Sequence, residues 1–220
     1  MLDARITPEA LDSSVRLRGG GGGVLGSGVR LRPRWVLSLA HLLASPQASI
    51  RVESGCGANA SVRALHWPGG VRRLRGPQAW PPFGHGPLED FVLLELDEAL
   101  PHLRSPLLDV RRVAAGTALQ AVGWGVDADG NYPAQPRALP LVAQAADRAQ
   151  PRFGLAHTVP GHSPRQGHSG AGVYVLGEGA GLLGLHAHRE HSEGRERAAY
   201  LRLSVPLLGW IQSCTRGEAA

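Results

Sequence analysis

The sequence predicts an all-β fold of antiparallel barrels, closed at its C-terminal end by a helix. Its 30 glycines and 17 prolines fall between short apolar runs, the punctuation of a β chain. Those runs number roughly six in each half, a rhythm of barrels rather than of a parallel sheet alternating with helices. With 43% hydrophobic residues in 220, the chain has enough apolar mass for one substantial core or a closely joined pair of barrels.

Taken in order, Thr7-Pro8-Glu9 reads as an N-cap, a first-turn proline and a first-turn acid, the start of a short helix. Ser14–Leu17 alternates like a strand and enters the flexible glycine stretch Gly19–Gly23. Val24–Leu31, Trp35–Leu39, Ile50–Val52 and Val62–Leu65 read as further strands, and the Pro- and Gly-rich span Trp67–Pro87 as a long surface excursion. Phe91–Leu96 is almost continuously apolar, as a buried strand is, and starts directly after Asp90. Pro101–Val113, with two prolines and several charges, reads as a linker. Beyond it come Ala118–Trp124, Leu139–Ala143, Phe153–Val159, Val173–Leu176, Leu182–His188 and Ala198–Leu203. Ser204 and Pro206 then open a last apolar segment, Leu207–Ile211, read as the closing helix.

The formal charge is +5, and every fixed cation is arginine because the chain has no lysine. High-GC codon usage is the simplest reason. The arginines are spread along the chain without interleaved aromatics, which argues against a nucleic-acid partner and for a surface that attracts acidic substrates. No apolar span approaches membrane-crossing length, and Met1–Leu11 lacks a signal-peptide core, so the expectation is a cytoplasmic protein without a membrane partner, or a secreted one if a leader has been trimmed. Cys56 and Cys214 are the only cysteines; one bridge between them is conceivable, but a disulfide framework is not indicated.

Candidate chemistry starts at Gln166–Gly172, Q-G-H-S-G-A-G, a serine between glycines ahead of an apolar run. Glycine permits a tight turn and close substrate approach, and the N–H groups of Gly167 and Ser169 are placed to stabilise an oxyanion. With it go His41, at the end of an apolar strand, and Asp90, before another. A serine nucleophile needs a base, and the base needs an acid to fix its tautomer. The order His41, Asp90, Ser169 is that of the chymotrypsin group, not of α/β-hydrolases or subtilisins.

W-V-L-S-L-A-H at Trp35–His41, E-D-F-V-L-L-E-L at Glu89–Leu96, G-W-G at Gly123–Gly125, Q-G-H-S-G at Gln166–Gly170 and W-I-Q at Trp210–Gln212 resemble, in order, the landmarks of the trypsin family. The resemblance spans nearly the whole chain. It implies one peptidase domain over 1–220: two six-stranded antiparallel β-barrels (about 13–100 and about 114–203), a linker (about 101–113) and a C-terminal helix (about 204–214). It further implies a serine endopeptidase of bacterial type that needs no cofactor and acts on protein or peptide. Ser169 would be the nucleophile, His41 the base and then the acid, and Asp90 the orienting group, with an oxyanion hole of Gly167 and Ser169.

The departures also carry expectations. His168 stands where trypsin-like zymogens have the aspartate that pairs with a freed amino terminus. Arg5-Ile6 resembles an activation site, yet finds no carboxylate, so internal contacts of the turn or a regulatory partner must order it. Ala187 replaces a serine near the catalytic aspartate, leaving Asp90 fewer hydrogen bonds. Ser163, at the family's pocket base, is small and neutral. G-L-H at Gly184–His186 resembles G-I-H of V8-type glutamyl endopeptidases, implying cleavage after acidic residues. His186 and His188, two apart on a strand, are expected on one face, with Arg189 at the pocket mouth binding an acid or obstructing entry. A metal site from His186, His188 and His191 lacks an accompanying carboxylate or cysteine constellation, so no metal is assigned. The rival reading is a catalytically silent or partner-activated fold serving as a protein-binding module.

Overall fold

In the computed structural model, Thr7 caps α1 (Pro8–Ser13): its hydroxyl accepts the Ala10 N–H at 3.3 Å, and Pro8 occupies the first turn. The structure describes residues 7–43, 49–68, 70–73, 90–101, 104–145, 152–177, 181–192 and 195–216, without the side chains of 70–73, 191, 192 and 195. Residues 5 and 6, residue 89 and most of the expected excursion therefore lie outside the described residues.

The first barrel consists of β1 (Ser14–Gly19), β2 (Val24–Arg32), β3 (Trp35–Leu39), β4 (Ile50–Ser54), β5 (Asn59–Trp67) and β7 (Phe91–Leu96). Their order is β4-β1-β2-β3-β7-β5, and β4–β5 pairing closes the ring. A short strand, β6 (Gly70–Arg73), continues from β5 as a hairpin inside the stretch read as irregular. The second barrel repeats the plan with β9 (Ala118–Gly123), β10 (Arg137–Ala143), β11 (Phe153–Thr158), β12 (Gly172–Val175), β13 (Gly181–Ser192) and β14 (Arg195–Arg202), closed by β12–β13. The linker is not wholly irregular either: β8 (Leu107–Leu108) pairs in parallel with the start of β13. β13 also runs beyond its apolar core, because its polar end stays paired with β14 as far as Ser192 opposite Arg195. Helix α2 (Val205–Thr215) follows, capped by Ser204, whose hydroxyl accepts the Leu207 N–H.

Each barrel has its own apolar interior. Val15, Leu17, Val52, Leu65 and Leu94 fill the first; Leu119, Leu141, Val173, Leu183 and Tyr200 fill the second. A third cluster lies between them, where Val29, Leu37, Leu39, Phe91 and Leu93 meet Val122, Tyr174, Leu185 and Leu201, with Leu207 and Ile211 of α2. Cys56 and Cys214 are both free thiols, so the conceivable bridge is not made.

α1 is fixed to the second barrel by a fully buried bond, Ser13 Oγ to Tyr174 Oη at 3.0 Å. Burial keeps the Tyr174 phenol protonated well above its ordinary range. Tyr174→Phe should lower the unfolding free energy by about 1 kcal/mol, the net worth of one such bond. Urea titration measures this, and an unchanged midpoint would show that the bond contributes nothing.

Candidate active site

The register of β3 on β7 sets the first half of the site. Pairing runs from Trp35 opposite Glu95 to Leu39 opposite Phe91. One step further, the Ala40 N–H donates to the Asp90 carbonyl at 2.8 Å, so His41, on the 3₁₀ turn Ala40–Leu43, comes directly beside Asp90. The Asp90 carboxylate accepts the His41 backbone N–H at 2.9 Å and lies 3.1 and 3.0 Å from Nδ1 through its two oxygens. A carboxylate can only accept, so Nδ1 carries the proton and Nε2 keeps its lone pair, as a base requires. Ala187 supplies no side-chain donor to Asp90.

The second half is the turn Arg165–His168. The His168 N–H donates to the Arg165 carbonyl at 3.0 Å, and Gly167 takes φ +92°, as the third residue of a type II turn does. A side chain at Gly167 would also run into the Trp124 carbonyl, 2.6 Å from where its Cβ would stand. The peptide planes are pinned through their carbonyls. The Gln166 carbonyl accepts from Val126 N–H at 2.9 Å, and the His168 carbonyl from Ala171 N–H at 2.8 Å. Because a trans peptide sets its N–H opposite its C=O, these bonds turn the N–H groups of Gly167 and Ser169 the other way. Neither has an acceptor among the described residues.

A residue not singled out in the sequence ties the halves together. Ser27 on β2 is fully buried. Its hydroxyl donates to the Gly167 carbonyl at 2.7 Å and accepts the Trp124 N–H at 2.9 Å. Its own N–H donates to the Ser169 carbonyl at 2.8 Å, and its carbonyl accepts the Ser38 hydroxyl at 2.8 Å. Gly170, at φ +85°, fits against Ser27 and Ser38, where a Cβ would stand 2.0 Å from the Ser27 carbonyl oxygen. The serine turn thus packs on β2 and on β3, whose end leads to His41. The Ser169 hydroxyl donates to the Ala187 carbonyl at 3.2 Å; among the described residues no hydrogen bond joins it to His41.

Beside Ser169 opens a pocket of about 550 Å³, lined by Val126, Pro164, Arg165, Gln166, His186, His188 and Arg189. Ser163 is not in the lining, and its hydroxyl leans on the neighbouring Pro164 carbonyl at 3.4 Å. A bulge on β13 sets His186 opposite Tyr200 but His188 opposite Ala199. Strict alternation fails there, so the expectation of two histidines on one face gives way. His186 is 2% exposed, whereas the His188 side chain is 51% exposed and reaches Glu190 at 3.1 Å. Burial, reinforced by His168 and His188, pushes the His186 pKa down to about 3. The imidazolium that a protonated acid-binding histidine would supply is therefore absent at neutral pH. Arg189 faces the opening with its guanidinium 3.6 Å from Glu196. No three metal-ligating side chains converge among the described residues, and the His191 side chain is not one of these.

His168 is 6% exposed and lies against Gly125, where a Cβ would stand 1.8 Å from Nδ1. Its Nδ1 is 3.0 Å from the Arg165 N and 3.1 Å from the Arg165 carbonyl. That carbonyl already accepts the His168 N–H, whereas the Arg165 N–H has no other acceptor among the described residues. The Arg165 N–H points at the ring, and Nδ1 is its acceptor. Burial lowers the His168 pKa and keeps the ring neutral.

Two closed six-stranded barrels followed by a C-terminal helix make the trypsin-like double-barrel fold. The solved structures agree. Kallikrein-related peptidase 10 in complex with Zn²⁺ superposes with a TM-score of 0.70 at 19% identity, covering 97% of this chain and 100% of that one. A mutant of human heparin binding protein gives 0.73 at 18%, covering 97% and 96%. Mouse neuropsin gives 0.70 at 17%, covering 96% and 97%. In sequence, 116 residues, 50% of the chain, are 34% identical to human granzyme M and span 43% of that protein's length. No protein-family model matches the chain.

The neutral His186 makes a testable contribution to stability. The unfolded chain takes up a proton near pH 6.5 and the native one only near 3, so this contribution is complete above about pH 6.5 and lost as pH falls toward 3. Between pH 7 and pH 4 the wild type should lose about 3 kcal/mol more unfolding free energy than His186→Leu. Equal losses would mean that the ring charges freely in the fold.

Proposed function

We propose that the protein is a serine endopeptidase. The observation that carries this is the His41–Asp90 pair, with Nδ1 held by the carboxylate, beside a serine turn whose two N–H groups point away from their pinned carbonyls. The Ser169 hydroxyl leaves the Ala187 carbonyl, gives its proton to His41 Nε2 and attacks the scissile carbonyl. The resulting oxyanion accepts hydrogen bonds from the N–H groups of Gly167 and Ser169, each worth on the order of 10²–10³ in rate. His41 then protonates the departing amine, and water, deprotonated by the same imidazole, releases the acyl group from Ser169. The likeness to kallikrein-related peptidase 10, and to neuropsin, described as a serine protease, supports the reading.

One observation favours the rival reading of a silent binding module: the resting Ser169 hydroxyl is bonded to Ala187 and not to His41. A fluorophosphonate probe separates the two, because the probe is captured only when a base draws the proton off Ser169 as fluoride leaves phosphorus. Peptide mapping should find the adduct on Ser169, and Ser169→Ala should abolish both the adduct and peptide hydrolysis while leaving the thermal midpoint in place. An unlabelled wild type would overturn the peptidase reading of the isolated chain in favour of a catalytically silent or partner-activated fold.

For specificity the reading is cleavage after Glu or Asp. The pocket lining contains Arg165 and Arg189 and no carboxylate, and an acidic side chain entering it exchanges hydration for those cations. The preference should hold from pH 6 to pH 8, because His186 stays neutral throughout that range. Arg189→Ala should lower kcat/KM for a glutamyl substrate about tenfold, the worth of one partly solvated ion pair with hydrogen bonds. A peptide-library digest read by mass spectrometry tests this; cuts mainly after Arg, or a preference that disappears by pH 8, would refute it.

A further inference from the structure

The turn that would hold the oxyanion is anchored in part by side chains. Backbone groups of the turn are satisfied from within the fold: the Gln166 carbonyl by Val126, the Gly167 carbonyl by the Ser27 hydroxyl, the His168 carbonyl by Ala171, the Ser169 carbonyl by the Ser27 N–H and the Arg165 N–H by the His168 ring. Two of these bonds, at Gly167 and Arg165, depend on a side chain, and both side chains are buried.

We infer that His168 and Ser27 are positioning residues that lock the Arg165–Ser169 turn in its oxyanion-binding form, so that competence arises from the folded chain itself, without a freed amino terminus or a partner protein. The inference rests on the peptidase reading. His168 acts from inside the turn. Its ring packs on Gly125, and Nδ1 holds the Arg165 N–H, so the ring spans the turn's two ends. Ser27 acts from the other barrel. Its hydroxyl links the Gly167 carbonyl to the Trp124 N–H, fixing the peptide plane that follows Gly167. Neither residue touches the substrate. Each controls where the N–H groups of Gly167 and Ser169 point, and a misdirected N–H contributes nothing to the oxyanion.

The volume beside Gly125 is already taken. With a hypothetical Cβ on Gly125 standing 1.8 Å from His168 Nδ1, the ring fills the space beside the main chain, and residue 168 offers an incoming ammonium group an imidazole in place of a carboxylate. Replacing His168 by Leu keeps a buried apolar body but removes the acceptor; replacing it by Asn keeps an acceptor.

The experiment measures the second-order rate of fluorophosphonate capture at Ser169, together with kcat and KM on a peptide substrate. His168→Leu should slow capture by on the order of 10²-fold and lower kcat far more than it raises KM. His168→Asn should recover to within tenfold of wild type, and Ser27→Ala should slow capture at least tenfold. Capture by His168→Leu within threefold of wild type, or an Asn variant as slow as Leu, would overturn the inference. If His168→Leu does not fold, Ser27→Ala and the imidazole ¹⁵N spectrum of the wild type decide: Nδ1 unprotonated with the proton on Nε2 supports the brace, and a protonated Nδ1 refutes it. An unlabelled wild type would refute the peptidase reading by itself, while the ¹⁵N spectrum still reads out the brace. A large rise in capture rate after cleavage beyond Arg5 would overturn self-sufficiency.

Discussion

The direction of two peptide planes is the constraint on which the cleft depends. The planes joining Gln166 to Gly167 and His168 to Ser169 are held by hydrogen bonds to their carbonyls, from Val126 and Ala171. Since the peptide is rigid, the N–H groups of Gly167 and Ser169 point away from those carbonyls as a geometric necessity. Glycine at 167 makes the turn accessible, because a β-carbon there would meet the Trp124 carbonyl. The buried Ser27 hydroxyl on the Gly167 carbonyl and the His168 ring on the Arg165 N–H add to those bonds.

Much of this was legible in the chain. Phe91–Leu96 and Trp35–Leu39 read as strands at their observed bounds, because an apolar run bordered by polar residues is a local signal. The caps at Thr7 and Ser204 were legible for the same reason. The His41–Asp90 pair followed from where these two strands end, once their antiparallel register is supplied. β6 and β8 were missed because neither has an apolar pattern of its own. β8 has two residues and exists only through its pairing with β13.

Other features arise from long-range packing, which no local pattern encodes. Ser27 looks like an ordinary small residue between glycines, and only the approach of the second barrel makes it a four-way junction. His186 was expected on one face with His188, yet the bulge at Ala187 and the cover of neighbouring strands remove it from water. Ser163 was expected at the pocket base, but Pro164 lines the pocket in its stead. In each case the residue's identity was plain and its surroundings were not.

The apolar cluster between the barrels has a mechanical consequence. Its members come from β2, β3 and β7 on one side, β9, β12, β13 and β14 on the other, and the helices α1 and α2. Neither barrel can shed its neighbour without wetting that shared surface, and burial of this kind outweighs any single polar contact in the cleft. The shared burial couples the two halves, and the imidazole on one barrel and the hydroxyl on the other are held relative to each other by hydrocarbon packing well behind both.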